Sequence, residues 1–180
     1  SLYTAELLHA LLALPDRTDT VCLFTSGWNV PTDRLKPFLH YPRVEWRHRR
    51  VPNKLVALHL TPKIDRVLKS IDVLFAPNWN FISVSARCPV VLTVHDCTVR
   101  LYPHLLPLKQ RLWHRLIRPS TLLKRSKQII AVSQTTRDDL MELYGVPGER
   151  ITTIYSGAPR TVNPVSVSQL PAEYVVVIGT

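Results

Sequence analysis

The sequence predicts an α/β fold, a doubly wound and mostly parallel sheet with helices on both faces. Three observations carry this. Short apolar runs rich in β-branched residues recur at 72–76, 89–94, 128–132 and 151–155, and such runs read as strands covered on both sides. Segments with the 3.6-residue period of a helix separate several of them, and strands joined through helices imply right-handed crossovers in a parallel sheet. Finally, the run Pro89-Val-Val-Leu-Thr-Val-His-Asp96 ends on two polar residues. Ligands in sheets of this kind bind beyond the carboxyl ends of the strands. His95 and Asp96 therefore stand either at the rim of a cleft or as caps of an ordinary loop.

Taken in order, residues from Tyr3 to Leu14 repeat apolar side chains on the helical period and stop at Pro15, and Thr20 to Thr25 form a short strand ended by Ser26-Gly27. Val44 to Arg47 is a weaker strand. A helical stretch begins at Asn53 and continues past Pro62 through Ile64, Val67 and Leu68. Asp72 to Ala76 is a buried strand closed by Pro77, and the run from Pro89 to Val94 is another. The leucine pattern between Tyr102 and Lys127 indicates one helix up to Arg118 and a second from about Ser120, divided at Pro119. After the strand Gln128 to Val132, Ser133 supplies an N-cap, Asp138 and Asp139 occupy early helical turns, and Gly145 follows the last turn. Ile151 to Tyr155 is the next strand, closed by Gly157. Residues 158–172 lack any period and read as a linker, and Tyr174 to Ile178 is one more buried-type strand.

With 180 residues the chain has room for one full core, and no apolar run reaches the length of a membrane span. The opening segment carries neither a basic leader nor a small-residue cleavage pattern, so a secretory signal is not expected. Cys22, Cys88 and Cys97 are three in number, without C-x-x-C spacing, which fits a reduced, cytoplasmic protein. Cys97 reads as a buried thiol before it reads as a nucleophile served by His95, because residues i and i+2 leaving a strand share no fixed geometry. The histidines show no metal-ligand spacing, and no metal site or cofactor is predicted.

The net charge is +10, and no carboxylate lies between Cys97 and Arg137. Such a one-signed stretch favours an anionic partner: phosphate groups, an acidic lipid surface or nucleic acid. The helix from Leu105 to Arg118 carries Leu105, Leu108, Leu112 and Leu116 on one side. Lys109, Arg111, Arg115 and Arg118 are the candidate contacts to phosphate or to an anionic membrane. The alternative is a solvated basic face over the sheet.

Several of these segments together resemble the N-terminal half of a GT-B glycosyltransferase of family 4, the retaining, nucleotide-sugar-dependent group. The matching pieces are Asp72-Val-Leu-Phe-Ala-Pro77, Val90-Val-Leu-Thr-Val-His-Asp96, Gln128-Ile-Ile-Ala-Val-Ser133 with Thr136-Arg-Asp-Asp-Leu140, Tyr144-Gly-Val-Pro147 and Ile151-Thr-Thr-Ile-Tyr-Ser-Gly157. The resemblance implies a Rossmann-like acceptor-side domain over residues 1–157 that lacks its first strand, a linker over 158–172, and at 173–180 the first strand of an absent donor-binding domain. It implies further a sugar moved with retention from a nucleotide-diphosphate donor to a hydroxyl of a glycan or lipid-linked acceptor, with the fragment inactive alone.

The same resemblance makes His95 a cleft-facing residue that contacts the donor sugar and Asp96 either its partner, a hydroxyl acceptor or a loop cap. These two are the candidate catalytic residues. Asn78, Trp79, Asn80 and Thr98 are the candidate substrate-binding residues, since amides beside an aromatic face suit carbohydrate; for Trp79 a core anchor is the competing reading. The enzyme is expected in the cytoplasm, peripheral on the inner face of the plasma membrane. A basic module that binds nucleic acid or an anionic surface without catalysis is the rival class. Nucleic acid is set aside as a partner because no RNA- or DNA-binding signature interleaves the basic residues. A dinucleotide-dependent oxidoreductase is disfavoured because the five glycines form no G-x-G-x-x-G.

Overall fold

The computed structural model describes residues 2–51, 63–68, 71–80 and 82–157. Its main sheet has four parallel strands in the order β3 (Leu74–Ala76), β4 (Val90–Val94), β5 (Gln128–Ala131) and β6 (Ile151–Thr153), preceded in the chain by β1 (Val21–Ser26) and β2 (Val44–Arg49). In β4 the apolar run has the burial expected of it. Val90, Leu92, Thr93 and Val94 are all sealed from solvent, because β3 and β5 pair on its two edges and helices cover its faces. Around it Leu92, Val94, Ile129, Ala131 and Ile151 share one core with Leu122, Leu123 and Leu140 from helices.

Helices α1 (Leu2–Leu12), α2 (Thr32–Leu35), α3 (Ile64–Leu68), α4 (Thr98–Leu101), α5 (Leu108–Ile117), α6 (Pro119–Arg125) and α7 (Gln134–Tyr144) accompany the strands, with 3₁₀ turns over Lys36–Phe38, Pro103–Leu105 and Gly148–Arg150. The α/β class with parallel strands is as expected. Among the described residues, however, the strands form two sheets rather than one. β1 and β2 pair in parallel, Val21 opposite Val44, as a separate two-stranded sheet around Leu12, Leu23 and Phe38. Apolar runs identify strands but not their neighbours, and no ladder joins β1 to β3 among the described residues. The strand expected over 72–76 is shorter, and with Phe75 38% exposed it is an edge strand rather than one buried on both faces. The helix expected from Asn53 falls outside the described residues except for α3, as do the linker and the strand at 173–180.

α7 is built as its sequence indicates. The Ser133 side chain accepts from the Thr136 N–H at 3.0 Å, and Gly145 takes the left-handed conformation at φ 62°. There Gly145 donates to Met141 O at 3.1 Å and Val146 to Leu140 O at 3.2 Å, so the last carbonyls are satisfied. α6 ends differently. The Arg150 guanidinium donates to Leu123 O at 2.6 Å and also reaches Ser126 O, placing a cation on the negative end of that helix and tying it to β6.

Between β4 and β5 the expected single helix up to Arg118 is broken up. Pro103 and Pro107 interrupt it, and Leu106 before Pro107 is extended, as a residue preceding proline prefers. α4 and a 3₁₀ turn come first, and only Leu108 onward is continuous helix. Pro119 opens α6 as expected, while Arg118 sits left-handed at φ 54° between the two helices. The leucines of α5 also point the other way. A solvated basic face over a sheet would bury them, yet Leu108, Leu112 and Leu116 are all exposed.

Truncating Leu92 to Ala is expected to lower unfolding stability by about 2–5 kcal/mol, since it opens a cavity in the middle of the main sheet. Urea denaturation checks this, and a midpoint equal to wild type would contradict the burial of β4.

Candidate functional site at the carboxyl end of the central strand

The carboxyl end of β4 is held from three sides. His95 Nε2 lies 2.9 Å from Pro77 O, in the loop that follows β3. A carbonyl only accepts, so Nε2 carries the proton and the neutral imidazole keeps Nδ1 as an acceptor. From α1, the Tyr3 ring stands edge-on to the imidazole with centroids 4.6 Å apart, and its hydroxyl meets Thr93 Oγ1 at 3.4 Å. From the first turn of α7, Thr136 Oγ1 donates to His95 O at 3.2 Å. The half-buried imidazole is thus fixed in place and in tautomer at the strand end.

Asp96 is exposed and does not bond to His95. Its Oδ1 accepts from the Thr98 N–H at 2.9 Å, which starts α4 and makes it a loop-capping carboxylate. Thr98 is engaged in this turn through its backbone. Trp79 donates through Nε1 to Asp96 O at 3.3 Å, while its ring packs against the main core and lies 6.5 Å from the Tyr144 ring. The aromatic therefore anchors the loop of Pro77 to that of Asp96. Asn78 beside it is half-buried and Asn80 exposed. The structure accordingly brings His95, Asp96, Trp79 and Thr98 together around two adjoining loops, with Asn78 and Asn80 flanking Trp79.

The basic candidates lie elsewhere. Arg111 and Arg115 line a groove of about 610 Å³ between α5, the α4 turn and the end of α7, together with Arg100, His114, Leu143 and Tyr144. Lys109 and Arg118 are exposed but outside its lining. The groove borders the rim through the Trp79–Tyr144 contact, and through His114, which burial holds below its usual pKa while the Asp96 carboxylate opposes the shift.

Cys97 is a buried thiol, 3% exposed. Burial, aided by the Asp139 and Asp96 carboxylates, pushes it up to about 12, which leaves it protonated and unreactive at neutral pH. Burial likewise raises the Tyr144 hydroxyl to about 12. Among the described residues no three His, Cys, Asp or Glu side chains converge on a point where a metal ion could be held.

The strand, its polar terminus and the capped helix behind it occur along the chain in a recognisable order, and a family model described as Glycosyltransferase Family 4 matches residues 2–161. The chain belongs to that family. No curated protein matches it in sequence. Family 4 membership makes sugar-containing molecules the substrates in general. Within this glycosyltransferase domain, Tyr3 and Thr136 contact His95 without having been among the candidates drawn from the sequence. Thr136 had a local signal, three residues after the cap Ser133; Tyr3 lies 92 positions from His95 and had none.

The thiol of Cys97 gives the domain an alkaline liability. Unfolded, it releases its proton near the ordinary value of 9.0, whereas folded it keeps it up to about 12. Between these values the native chain binds more protons than the unfolded one, so this contribution is complete below pH 9 and is lost as pH rises through that window. Replacing Cys97 with Ala is expected to flatten the alkaline fall in stability measured by urea melts. An unchanged slope would show that the thiol ionises freely in the fold.

Proposed function

We propose that this family 4 domain is the acceptor-side half of a retaining glycosyltransferase that moves a sugar from a nucleotide-diphosphate donor to a hydroxyl of a glycan or lipid-linked acceptor. The observation that carries the reading is the fixed imidazole of His95 at the end of β4, with Nε2 committed to Pro77 O and Nδ1 left to accept. In the transfer, the bond from the anomeric carbon to the diphosphate oxygen breaks and one from that carbon to the acceptor oxygen forms on the same face. The acceptor proton ends on the departing phosphate. His95 takes part by accepting a hydrogen bond from a sugar hydroxyl through Nδ1, which holds the anomeric carbon in line.

The remaining rim residues act on this geometry. Tyr3 and Thr136 position His95, one against its ring and one on its carbonyl, while Asp96 shapes the following turn and keeps its second carboxylate oxygen for a hydroxyl. Trp79 offers part of a ring face at the rim for sugar C–H groups, flanked by the Asn78 and Asn80 amides. The three free cysteines support a reducing, cytoplasmic location.

In the enzyme carrying this domain, assayed against a panel of nucleotide sugars by release of nucleoside diphosphate, His95→Ala is expected to lower turnover about a hundredfold, the range seen when a positioned hydrogen-bonding group is lost at a transition state. Unchanged turnover would remove His95 from the site. Thr136→Val is expected to have a smaller effect on turnover, about tenfold, because it loosens the His95 backbone without removing the imidazole; its kinetics relative to wild type check that ordering.

A further inference from the structure

α5 is a helix with almost nothing under it. Of its ten residues only Ile117 is buried, and His114 is half-buried. A helix this short does not hold itself together in water and depends on covering its apolar face. That face is open to solvent: Leu108 is 78% exposed, Leu112 59% and Leu116 50%, the first two also edging the groove beside Tyr144. At about 100° per residue these three leucines form one continuous stripe. Leu105 and Tyr102, both exposed in the preceding turn, lie just ahead of it.

The cations take up the shoulders of this stripe. The same rotation puts Lys109 on one side and Arg111 and Arg115 on the other, while Ile117 and His114 fall opposite, toward the protein. Arg100, Lys109, Arg111 and Arg115 make no ion pair with any described residue, and no carboxylate lies between Cys97 and Arg137 to offset them. An apolar stripe with cations on both shoulders, and the body of the protein behind, is the cross-section of a helix lying in the plane of a bilayer surface. No described helix is long and apolar enough to cross one.

We propose that α5 docks this domain on an anionic lipid bilayer, with Leu108, Leu112 and Leu116 entering the interface and Arg111 and Arg115 reaching lipid phosphates beside the groove they share with Arg100. A protein partner could cover the leucines, but it would need to bring the carboxylates for every flanking cation. An acidic bilayer supplies an apolar layer and a sheet of negative charge together. Their stems lie along the apolar stripe while their guanidinium groups stay at the headgroups, as long basic side chains do at such surfaces. The inference is independent of the sugar-transfer reading, since it rests on the exposed residues of α5 and not on His95.

The test is flotation of the chain with vesicles of phosphatidylcholine alone and with about one third phosphatidylglycerol, at about 0.1 M salt. Binding is expected only to the anionic vesicles. Arg111→Gln with Arg115→Gln should weaken it roughly 25-fold, about fivefold for each surface cation. Leu108→Gln with Leu112→Gln should weaken it at least about tenfold, while Arg111→Lys with Arg115→Lys should retain it. All four leucine and arginine positions are exposed, and far-UV circular dichroism before addition of vesicles establishes that each variant keeps the fold. Failure to bind anionic vesicles overturns the proposal. So does wild-type binding by the leucine variant, which would reduce the effect to adsorption by net charge. Displacement by inorganic phosphate at constant ionic strength would make a soluble anion the occupant, and equal binding to polyglutamate an acidic polypeptide; either result also overturns it.

Discussion

The domain depends on one strand being buried completely while its last residues are not. β4 has a partner on each edge and helices over its faces, so its backbone is satisfied within the sheet and its side chains are wholly apolar apart from Thr93. At Val94 this cover stops, and the next residue is a histidine whose ring is half in and half out. What keeps that histidine from being an ordinary loop residue is the hydrogen bond from Nε2 to Pro77 O, which joins the ends of two adjacent parallel strands. Tyr3 and Thr136 add a contact each from helices on either side. The rigid sheet thereby fixes one polar group with one acceptor atom left over.

That arrangement separates two kinds of chemistry on one domain. The rim around His95 is polar, partly buried and tied by several hydrogen bonds, which suits recognition of a hydroxylated molecule. The surface of α5 is apolar and cationic, loosely packed on the body, and suits a broad charged layer. The groove beside α5 meets the rim through Tyr144, which lies against Trp79, and through His114, which senses the Asp96 carboxylate.

Much of this was legible in the sequence, for reasons that differ by residue. The strands at Val90–Val94 and Gln128–Ala131 announce themselves because burial on both faces demands an unbroken apolar run. Ser133 and Gly145 announce the ends of α7 because caps act over three or four residues, a range that a sequence displays directly. The pairing of β1 with β2 apart from the main sheet was not legible, since the residues of Val21–Ser26 and Val44–Arg49 mark each segment as a strand without naming its neighbour. Nor was the outward turn of Leu108, Leu112 and Leu116. Periodicity places the leucines on one side of a helix, but only the positions of Ile117 and His114 against the body show which way that side faces. For Asp96 the sequence left a partner to His95, a hydroxyl acceptor and a loop cap open; the Asx-type bond to the Thr98 N–H, made two residues along the chain, is the loop cap.

The His95 ring is held in a single tautomer, protonated on Nε2 by its bond to Pro77 O. Long-range ¹H–¹⁵N correlation spectroscopy of the ¹⁵N-labelled protein at alkaline pH, with His95 assigned by its absence in His95→Gln, reads the tautomer directly. A pyrrole-type shift at Nε2 and a pyridine-type shift at Nδ1 are expected for this residue. A proton on Nδ1, or a rapidly averaged mixture of the two forms, would contradict it.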